Sequence, residues 1–101
     1  MRRGTTAFQE AVWDVLKQIR AGSVMTYAAL AHAVGHPGAA RAVANACAAN
    51  PWPVMIPCHR VVRSDGTLGG YSGPGGIVRK AALLRREGVV IVGNRIQRTV
   101  P

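Results

Sequence analysis

Acidic residues are scarce in this sequence. Only 4 Asp and Glu residues stand against 13 Lys and Arg residues, which gives a formal net charge of +9. Such a positive field attracts polyanions, and nucleic acid is the usual partner. Charge alone leaves open a ribosome-associated protein or a membrane-surface binder, so the class of partner must be decided by motifs.

Cysteine and long apolar runs are also rare. The two cysteines, Cys47 and Cys58, are too few for a disulfide framework. No apolar run is long enough to span a membrane, and the basic residues 1–4 precede no hydrophobic signal core. We therefore expect reduced thiols and a cytoplasmic protein, free in the cytosol or associated with the nucleoid. The 101 residues, 49% of them hydrophobic, predict one domain over residues 1–101.

Helix start and stop signals divide the first half of the chain. A capping box beginning at Thr6 predicts a first helix, with Gly22 as its stop. Thr26 is a second helix cap, and that helix is expected to end at Gly35. A third helix is predicted over about residues 39–49. Two helices joined by a tight turn indicate a helix-turn-helix.

The second half mixes turn signals with one more helix. Residues 61–68, centred on Ser64-Asp65-Gly66, predict a β-hairpin that would form a wing. A last helix is predicted to end at Glu87, and residues 89–97 predict a small terminal hairpin or an irregular tail. The apolar face of this last helix would carry Ile77, Ala81 and Leu84. The fold class is therefore mainly α: a winged helix-turn-helix three-helix core, a small β-hairpin wing and a C-terminal helix.

The predicted third helix consists mostly of alanine, which occupies seven of the eleven positions from 39 to 49. Alanine favours helix and allows close packing against neighbours. A slim helix can also enter a narrow groove, with Arg41 as its one long cation. The two interpretations are compatible if they apply to opposite faces.

The run Pro57-Cys58-His59-Arg60 has the chemistry of a nucleophile. A free thiol is only a few per cent ionised at neutral pH, so a nucleophilic cysteine needs a base or a positive environment. His59 and Arg60 are adjacent in sequence. Among the few carboxylates, Glu87 is the candidate that could orient the imidazole of His59.

A bland interpretation of Cys58 stays open at this point. A lone cysteine in an apolar stretch is most often a core residue, and sequence neighbours need not touch in space. Cys47 lies in the alanine-rich helix, where we interpret it as a small packing residue. Together with His59 the two thiols lack the paired spacing of a structural zinc site, so we expect no metal.

The run Ile56–Val62 resembles the active-site signature of the O6-alkylguanine-DNA alkyltransferases, also called methylated-DNA–protein-cysteine methyltransferases. Its spacing to residues 39–43, 50–51 and 70–72 strengthens the resemblance, which extends over residues 8–88. The resemblance implies a monomeric DNA-repair protein that binds double-stranded DNA and flips out an O6-alkylguanine. It would transfer the alkyl group to its own cysteine, once per molecule and without a cofactor.

The resemblance also implies roles for individual residues. Cys58 would attack the alkyl carbon, His59 would act as base through a water, and Glu87 would orient His59. Tyr27 would help to rotate the nucleotide and donate a proton to guanine N3 as it leaves. Arg41 would enter the space that the nucleotide vacates while its helix lies in the minor groove.

The same resemblance implies a supporting set. Asn50 would hold the turn that carries the active site, Tyr71 and Ser72 would line the base pocket, and Lys80 would lie near it. Further support would come from Pro57, Arg60 and Val61, and DNA contacts from Ala39, Ala40, Ala42 and Asn45. Full-length members of the family carry an N-terminal domain before this one, and we expect that domain to be absent here.

Two other functions remain as alternatives. Alkyltransferase-like proteins share this domain, bind alkylated guanine and recruit excision-repair proteins, but another residue replaces their cysteine. Cys58 argues against that class here. A winged-helix regulator would bind DNA without chemistry and would leave the Cys58-His59 pair without a purpose.

Overall fold

The computed structural model describes residues 6–52, 55–69, 71 and 75–97. They form four α-helices, a single turn of 3₁₀ helix and four short strands. The helices are α1 (Ala7–Leu16), α2 (Tyr27–Ala33), α3 (Ala40–Ala48) and α4 (Gly76–Arg86), and the 3₁₀ turn is Cys58–Arg60. The strands are β1 (Met25–Thr26), β2 (Val61–Val62), β3 (Val90–Val92) and β4 (Arg95–Gln97). The mainly helical fold is confirmed.

The predicted helix caps are present. Oγ1 of Thr6 accepts a hydrogen bond from the amide of Gln9 at 3.0 Å, and the Gln9 side chain accepts one from the amide of Thr6. Oγ1 of Thr26 likewise accepts from the amide of Ala29 at 3.0 Å. These bonds satisfy amides that the first turn of a helix leaves free. Gly35, with φ of 84°, follows the end of α2 as predicted.

The predicted end of α1 is wrong. The helix ends at Leu16, not near Gly22. The amides of Gln18 and Ile19 bond to carbonyls only three residues back, those of Val15 and Leu16, and this tighter winding closes the helix. Gly22, with φ of 89°, lies in the loop beyond.

The alanine-rich α3 has one buried and one exposed face. Its buried residues are Val43, Ala46 and Cys47. Trp13 of α1 donates from Nε1 to the carbonyl of Ala46 at 2.9 Å, so a small residue there lets the indole reach the backbone. The opposite face is exposed and carries Arg41, Ala42, Asn45 and Ala48. The packing role expected of Cys47 is confirmed by its burial.

The strands depart from the predicted wing. β2 pairs in parallel with β1, with Met25 opposite Val61, and Thr67 forms an isolated antiparallel bridge with Arg95. Residues 61–63 and 67–68 therefore do not form the expected two-stranded hairpin, although the amide of Arg63 donates to the carbonyl of Thr67 at 2.9 Å. Val61 and Val62 are both buried, which favours a strand inside the core over one on a wing.

The C-terminal segment follows the prediction more closely. β3 and β4 pair as an antiparallel hairpin, and α4 ends where expected, with Glu87 as its C-cap. The predicted apolar face of α4 is partly wrong, because Ile77 is exposed while Lys80 and Leu84 are buried. Among the described residues, no helix is long and apolar enough to cross a membrane.

Candidate active site

Cys58 begins the 3₁₀ turn that separates α3 from β2. Its amide donates to the carbonyl of Ile56 at 2.8 Å, and the amide of Arg60 donates to the carbonyl of Pro57 at 3.1 Å. Pro57 is itself buried and restricts the backbone before the thiol. Only 5% of Cys58 is exposed, so the thiol is held at a defined, nearly enclosed position.

Asn50 ties the end of α3 to this turn. Its Nδ2 donates to the carbonyl of Ile56 at 2.8 Å, and its Oδ1 accepts from the amide of Trp52 at 2.9 Å. The amide of Ile56 donates in turn to the carbonyl of Trp52 at 2.8 Å. Asn50 is buried, so both amide atoms act as internal connectors of the loop that leads to Cys58.

The predicted contact between His59 and Glu87 is present. Nε2 of His59 lies 2.9 Å from Oε2 of Glu87, and the imidazole is fully buried. Burial lowers the pKa of His59 and outweighs the opposing effect of Glu87. The neutral ring donates from Nε2 to the carboxylate, which leaves Nδ1 as the acceptor nitrogen. Within the described part of the chain, Nδ1 has no hydrogen-bond partner.

Arg60 holds the carboxylate that holds His59. Its Nε and Nη2 donate to the two oxygens of Glu87 at 2.9 and 2.7 Å, and its Nη1 donates to the carbonyl of Ile19 at 2.6 Å. Burial raises the pKa of Glu87, but the hydrogen bonds from Arg60 and His59 outweigh it and bring that pKa to about 2. Glu87 is therefore ionised at neutral pH and accepts from both neighbours.

Tyrosine side chains lie around Cys58. Burial raises the pKa of Tyr27 to about 12, and the nearby thiols of Cys47 and Cys58 add to that rise. Burial also raises the pKa of Tyr71, again with a contribution from Cys58. Both phenols therefore keep their protons at neutral pH. Ser72, the other predicted pocket residue, falls outside the described residues.

Lys80 lies beneath this cluster, where it is fully buried. Its Nζ donates to the carbonyl of Val61 at 2.7 Å and also to the carbonyl of Leu68. The same nitrogen lies 5.8 Å from the centroid of the Tyr27 ring. Burial lowers the pKa of Lys80 to about 8, while the nearby thiols of Cys58 and Cys47 oppose that shift. Through these two hydrogen bonds, Lys80 links β2 to the segment after Thr67 inside the protein.

The predicted DNA-contacting residues divide into two groups. Tyr27 and Ala40 meet in an open groove of about 300 Å³, whose lining is Tyr27, Ala28, Ala40, Ala44, Arg63 and Ser64. Arg41, Ala42 and Asn45 lie on the exposed side of α3 but do not line this groove, and Ala39 is half-buried at the N-cap.

The sequence interpretation missed two features. Arg63 and Ser64 had been assigned to the wing and line the groove instead. The hydrogen bond from Arg60 to the carbonyl of Ile19 joins residues 41 positions apart, so no local sequence pattern predicts it. Among the described residues, no three His, Cys, Asp or Glu side chains are grouped to hold a metal ion.

The family described as "6-O-methylguanine DNA methyltransferase, DNA binding domain" matches residues 7–89. The chain belongs to this family. It is 58% identical over 82 residues to the Escherichia coli "Bifunctional transcriptional activator/DNA repair enzyme Ada", covering 81% of this chain and 23% of that one. The chain spans about half the length, or less, of the first curated relatives that it matches.

Two kinds of solved structure resemble this domain. One is Mycobacterium tuberculosis OGT in complex with DNA, with a TM-score of 0.80, 46% identity, and coverage of 83% of this chain and 50% of that one. The other is S. pombe Atl1 in complex with damaged DNA containing O6-carboxymethylguanine. Its TM-score is 0.77 at 35% identity, with coverage of 91% of this chain and 83% of that one. This chain therefore resembles proteins with both kinds of name.

Proposed function

We propose that this chain repairs double-stranded DNA by moving an alkyl group from O6-alkylguanine to Cys58. The observation that carries the proposal is the connected set Cys58, His59, Glu87 and Arg60. Cys58 and His59 are consecutive buried residues of the 3₁₀ turn, and the neutral imidazole of His59 donates from Nε2 to the ionised carboxylate that Arg60 also holds. A thiol next to an oriented base is the arrangement that nucleophilic catalysis requires.

The bond changes balance as follows. The thiol proton passes through a water to Nδ1 of His59, the sulfur forms a bond to the alkyl carbon, and the bond from that carbon to O6 breaks. The leaving guanine takes a proton at N3 from Tyr27. Because the pKa of Tyr27 is about 12, the phenol is protonated before the reaction and can donate its proton as negative charge develops on the leaving guanine. The proton held by His59 returns to Tyr27 through solvent.

DNA binding is part of the proposal. The O6 atom of a stacked guanine cannot reach a thiol that is 5% exposed, so the nucleotide must leave the duplex. The net charge of +9 favours the phosphate backbone. Arg41, exposed near the start of α3, is assigned to the gap left in the duplex. The exposed small side chains of Ala42 and Ala48 would let α3 approach the minor groove, with Ala39, Ala40 and Asn45 contributing contacts.

The remaining site residues are assigned supporting roles. Asn50 holds the loop before Cys58, Arg60 keeps Glu87 ionised, and Lys80 joins the two segments behind Tyr27. Pro57 and Val61 flank the turn from buried positions. Tyr71 and Ser72 are assigned to the base pocket.

Transfer would happen once per molecule. The product is a thioether, and an unactivated alkyl thioether has no simple route back to a thiol under cellular conditions. Each molecule of the protein would therefore be consumed by one lesion.

A damage sensor without transfer is the second candidate. The likeness to S. pombe Atl1, over 83% of that chain, favours it. Such a protein would use the same groove, flip the same nucleotide and recruit excision-repair proteins. The presence of Cys58 with an oriented His59 favours transfer over sensing.

Intact mass separates the two functions. The protein is incubated with a duplex oligonucleotide that contains O6-methylguanine, and its mass and peptides are then measured. Transfer predicts one added CH₂ unit, located on the peptide that contains Cys58. Tight binding to the duplex with no added mass would contradict transfer and support the sensor. Cys47→Ser serves as the control and is expected to gain the same mass.

A further inference from the structure

Arg63 belongs to no role assigned so far, yet it stands at the edge of the groove that contains Tyr27. One wall of this groove is made by small side chains of α2 and α3, Ala28, Ala40 and Ala44. The facing wall is made by Arg63 and Ser64, just after β2. No acidic residue is among the six that line it, and Arg63 is its one charged residue.

The backbone of Arg63 is fixed in place. Its amide donates to the carbonyl of Thr67 at 2.9 Å, and its carbonyl accepts from the amide of Gly66 at 2.9 Å. The side chain runs over Gly69. A Cβ atom added to Gly69 would lie 3.6 Å from Cγ of Arg63 and 3.3 Å from Cε2 of Tyr27. The stem of Arg63 and the ring of Tyr27 therefore meet above the same glycine.

The neighbouring carboxylate of Asp65 does not neutralise the charge of Arg63 by pairing with it. Asp65 lies close enough that Arg63 helps to lower its pKa, but hydrogen bonds from Thr67 are the larger cause. The carboxylate oxygen Oδ1 of Asp65 accepts from the amide of Thr67 at 2.9 Å and from its hydroxyl at 2.7 Å. Asp65 is thus engaged within its own turn. Arg63 is exposed and remains available to an anion in the groove.

We infer that Arg63 binds the phosphate group attached to the flipped nucleotide. The inference rests on the proposed function, which brings a nucleotide past Tyr27 toward Cys58. The base can enter the nearly enclosed site, but its phosphate cannot be buried without a large desolvation cost and must stay at the rim. Arg63 is the cation at that rim, and its planar fork suits a phosphate.

Salt dependence of DNA binding tests this contact. The dissociation constant of the full chain for a duplex containing O6-methylguanine is measured over a range of salt concentrations, using Cys58→Ser to prevent transfer. Each phosphate contact contributes about 0.9 to the slope of log affinity against log salt. Adding Arg63→Gln is expected to reduce the slope by about 0.9, whereas Arg63→Lys, which keeps the charge, is expected to preserve it.

A matched substitution separates a contact from a general loss of charge. Arg85→Gln removes the same charge from an exposed position near the end of α4 and is expected to leave the slope unchanged. An unchanged slope for Arg63→Gln would overturn the inference, and so would an equal loss for Arg85→Gln. If the slope changes as expected but the wild-type protein gains no alkyl group, the Arg63 contact stands and the proposed transfer fails.

Discussion

The turn that carries Cys58 and the exposed face of α3 are built in opposite ways. Around the turn, buried and partly buried polar atoms are joined by bonds of 2.6 to 2.9 Å that run from Asn50 to the loop and from Arg60 to Glu87 and the carbonyl of Ile19. The exposed face of α3 carries short side chains and one long cation, Arg41. One region is fixed before any ligand arrives, while the other presents a smooth surface.

This difference matches what each region is proposed to do. Displacement at carbon needs the thiol and its base in a fixed relation, and preorganised hydrogen bonds supply that without a cost at the moment of reaction. Docking into a groove needs close approach over a wide area, which alanine permits. Substitutions should therefore separate chemistry and folding from DNA engagement.

The largest expected effect is on transfer alone. Cys58→Ser should abolish adduct formation and leave affinity for a duplex containing O6-methylguanine unchanged, because the hydroxyl is a far weaker nucleophile of nearly the same size. Adduct formation is measured by mass spectrometry and affinity by fluorescence anisotropy. A variant that still acquired the alkyl group would place the acceptor elsewhere, and the other cysteine, Cys47, would be examined first.

The next effect is on folding. Arg60→Leu should lower the free energy of unfolding by about 3 kcal/mol, because it leaves the largely buried carboxylate of Glu87 without its cation. Urea unfolding followed by circular dichroism measures it. Arg85→Leu, at an exposed position of α4, is the control and should change stability by about 0.5 kcal/mol or less. Equal losses in the two variants would contradict the special role of Arg60.

The stability of the protein at acid pH should depend on the carboxylate of Glu87. The pKa of Glu87 is about 2 in the folded protein and 4.5 as its ordinary value, so the unfolded state binds more protons between these limits. The stability that Glu87 contributes is therefore present above pH 4.5 and is lost as the pH falls toward 2. Glu87→Gln should flatten this part of the stability profile, as measured by urea midpoints at each pH. A profile as steep as that of the wild type would refute the assignment.

The smallest expected effect belongs to α3. Arg41→Ala should slow repair of duplex DNA about tenfold, since its insertion offsets part of the few kcal/mol needed to unstack a nucleotide. Reaction with the free alkylated base should hardly change, because no duplex has to be opened. Single-turnover rates on both substrates give the comparison. An equal loss of rate on both substrates would mean that Arg41 acts on the chemical step. It would contradict the proposed difference between the turn that carries Cys58 and the exposed face of α3.

Sequence patterns predicted the local parts of this structure. The caps at Thr6 and Thr26, the end of α4 near Glu87 and the terminal hairpin all depend on residues within a few positions of one another. The contact between His59 and Glu87 was predicted in two ways. Glu87 was the candidate among the few carboxylates to orient the imidazole, and the family resemblance implied the same pair.

The errors arise where distant segments decide. Val62 lies in a strand that pairs with β1 and is buried on both faces, which a hairpin signal cannot reveal. Lys80 is buried where two carbonyls of other segments accept from its Nζ. The bond from Arg60 to Ile19 depends on tertiary packing in the same way. The early end of α1 is the exception, because it depends on bonds in its own last turn.

The central claim is that Cys58 keeps the alkyl group. The direct measurement is a titration of the protein with an excess of duplex DNA whose O6-methylguanine carries a labelled methyl group. Label bound to protein is counted over time. Transfer to Cys58 predicts that the bound label rises to one methyl group per protein molecule, stops there, and is absent in Cys58→Ser. Continued turnover, or stable binding of the duplex with no label on the protein, would contradict it.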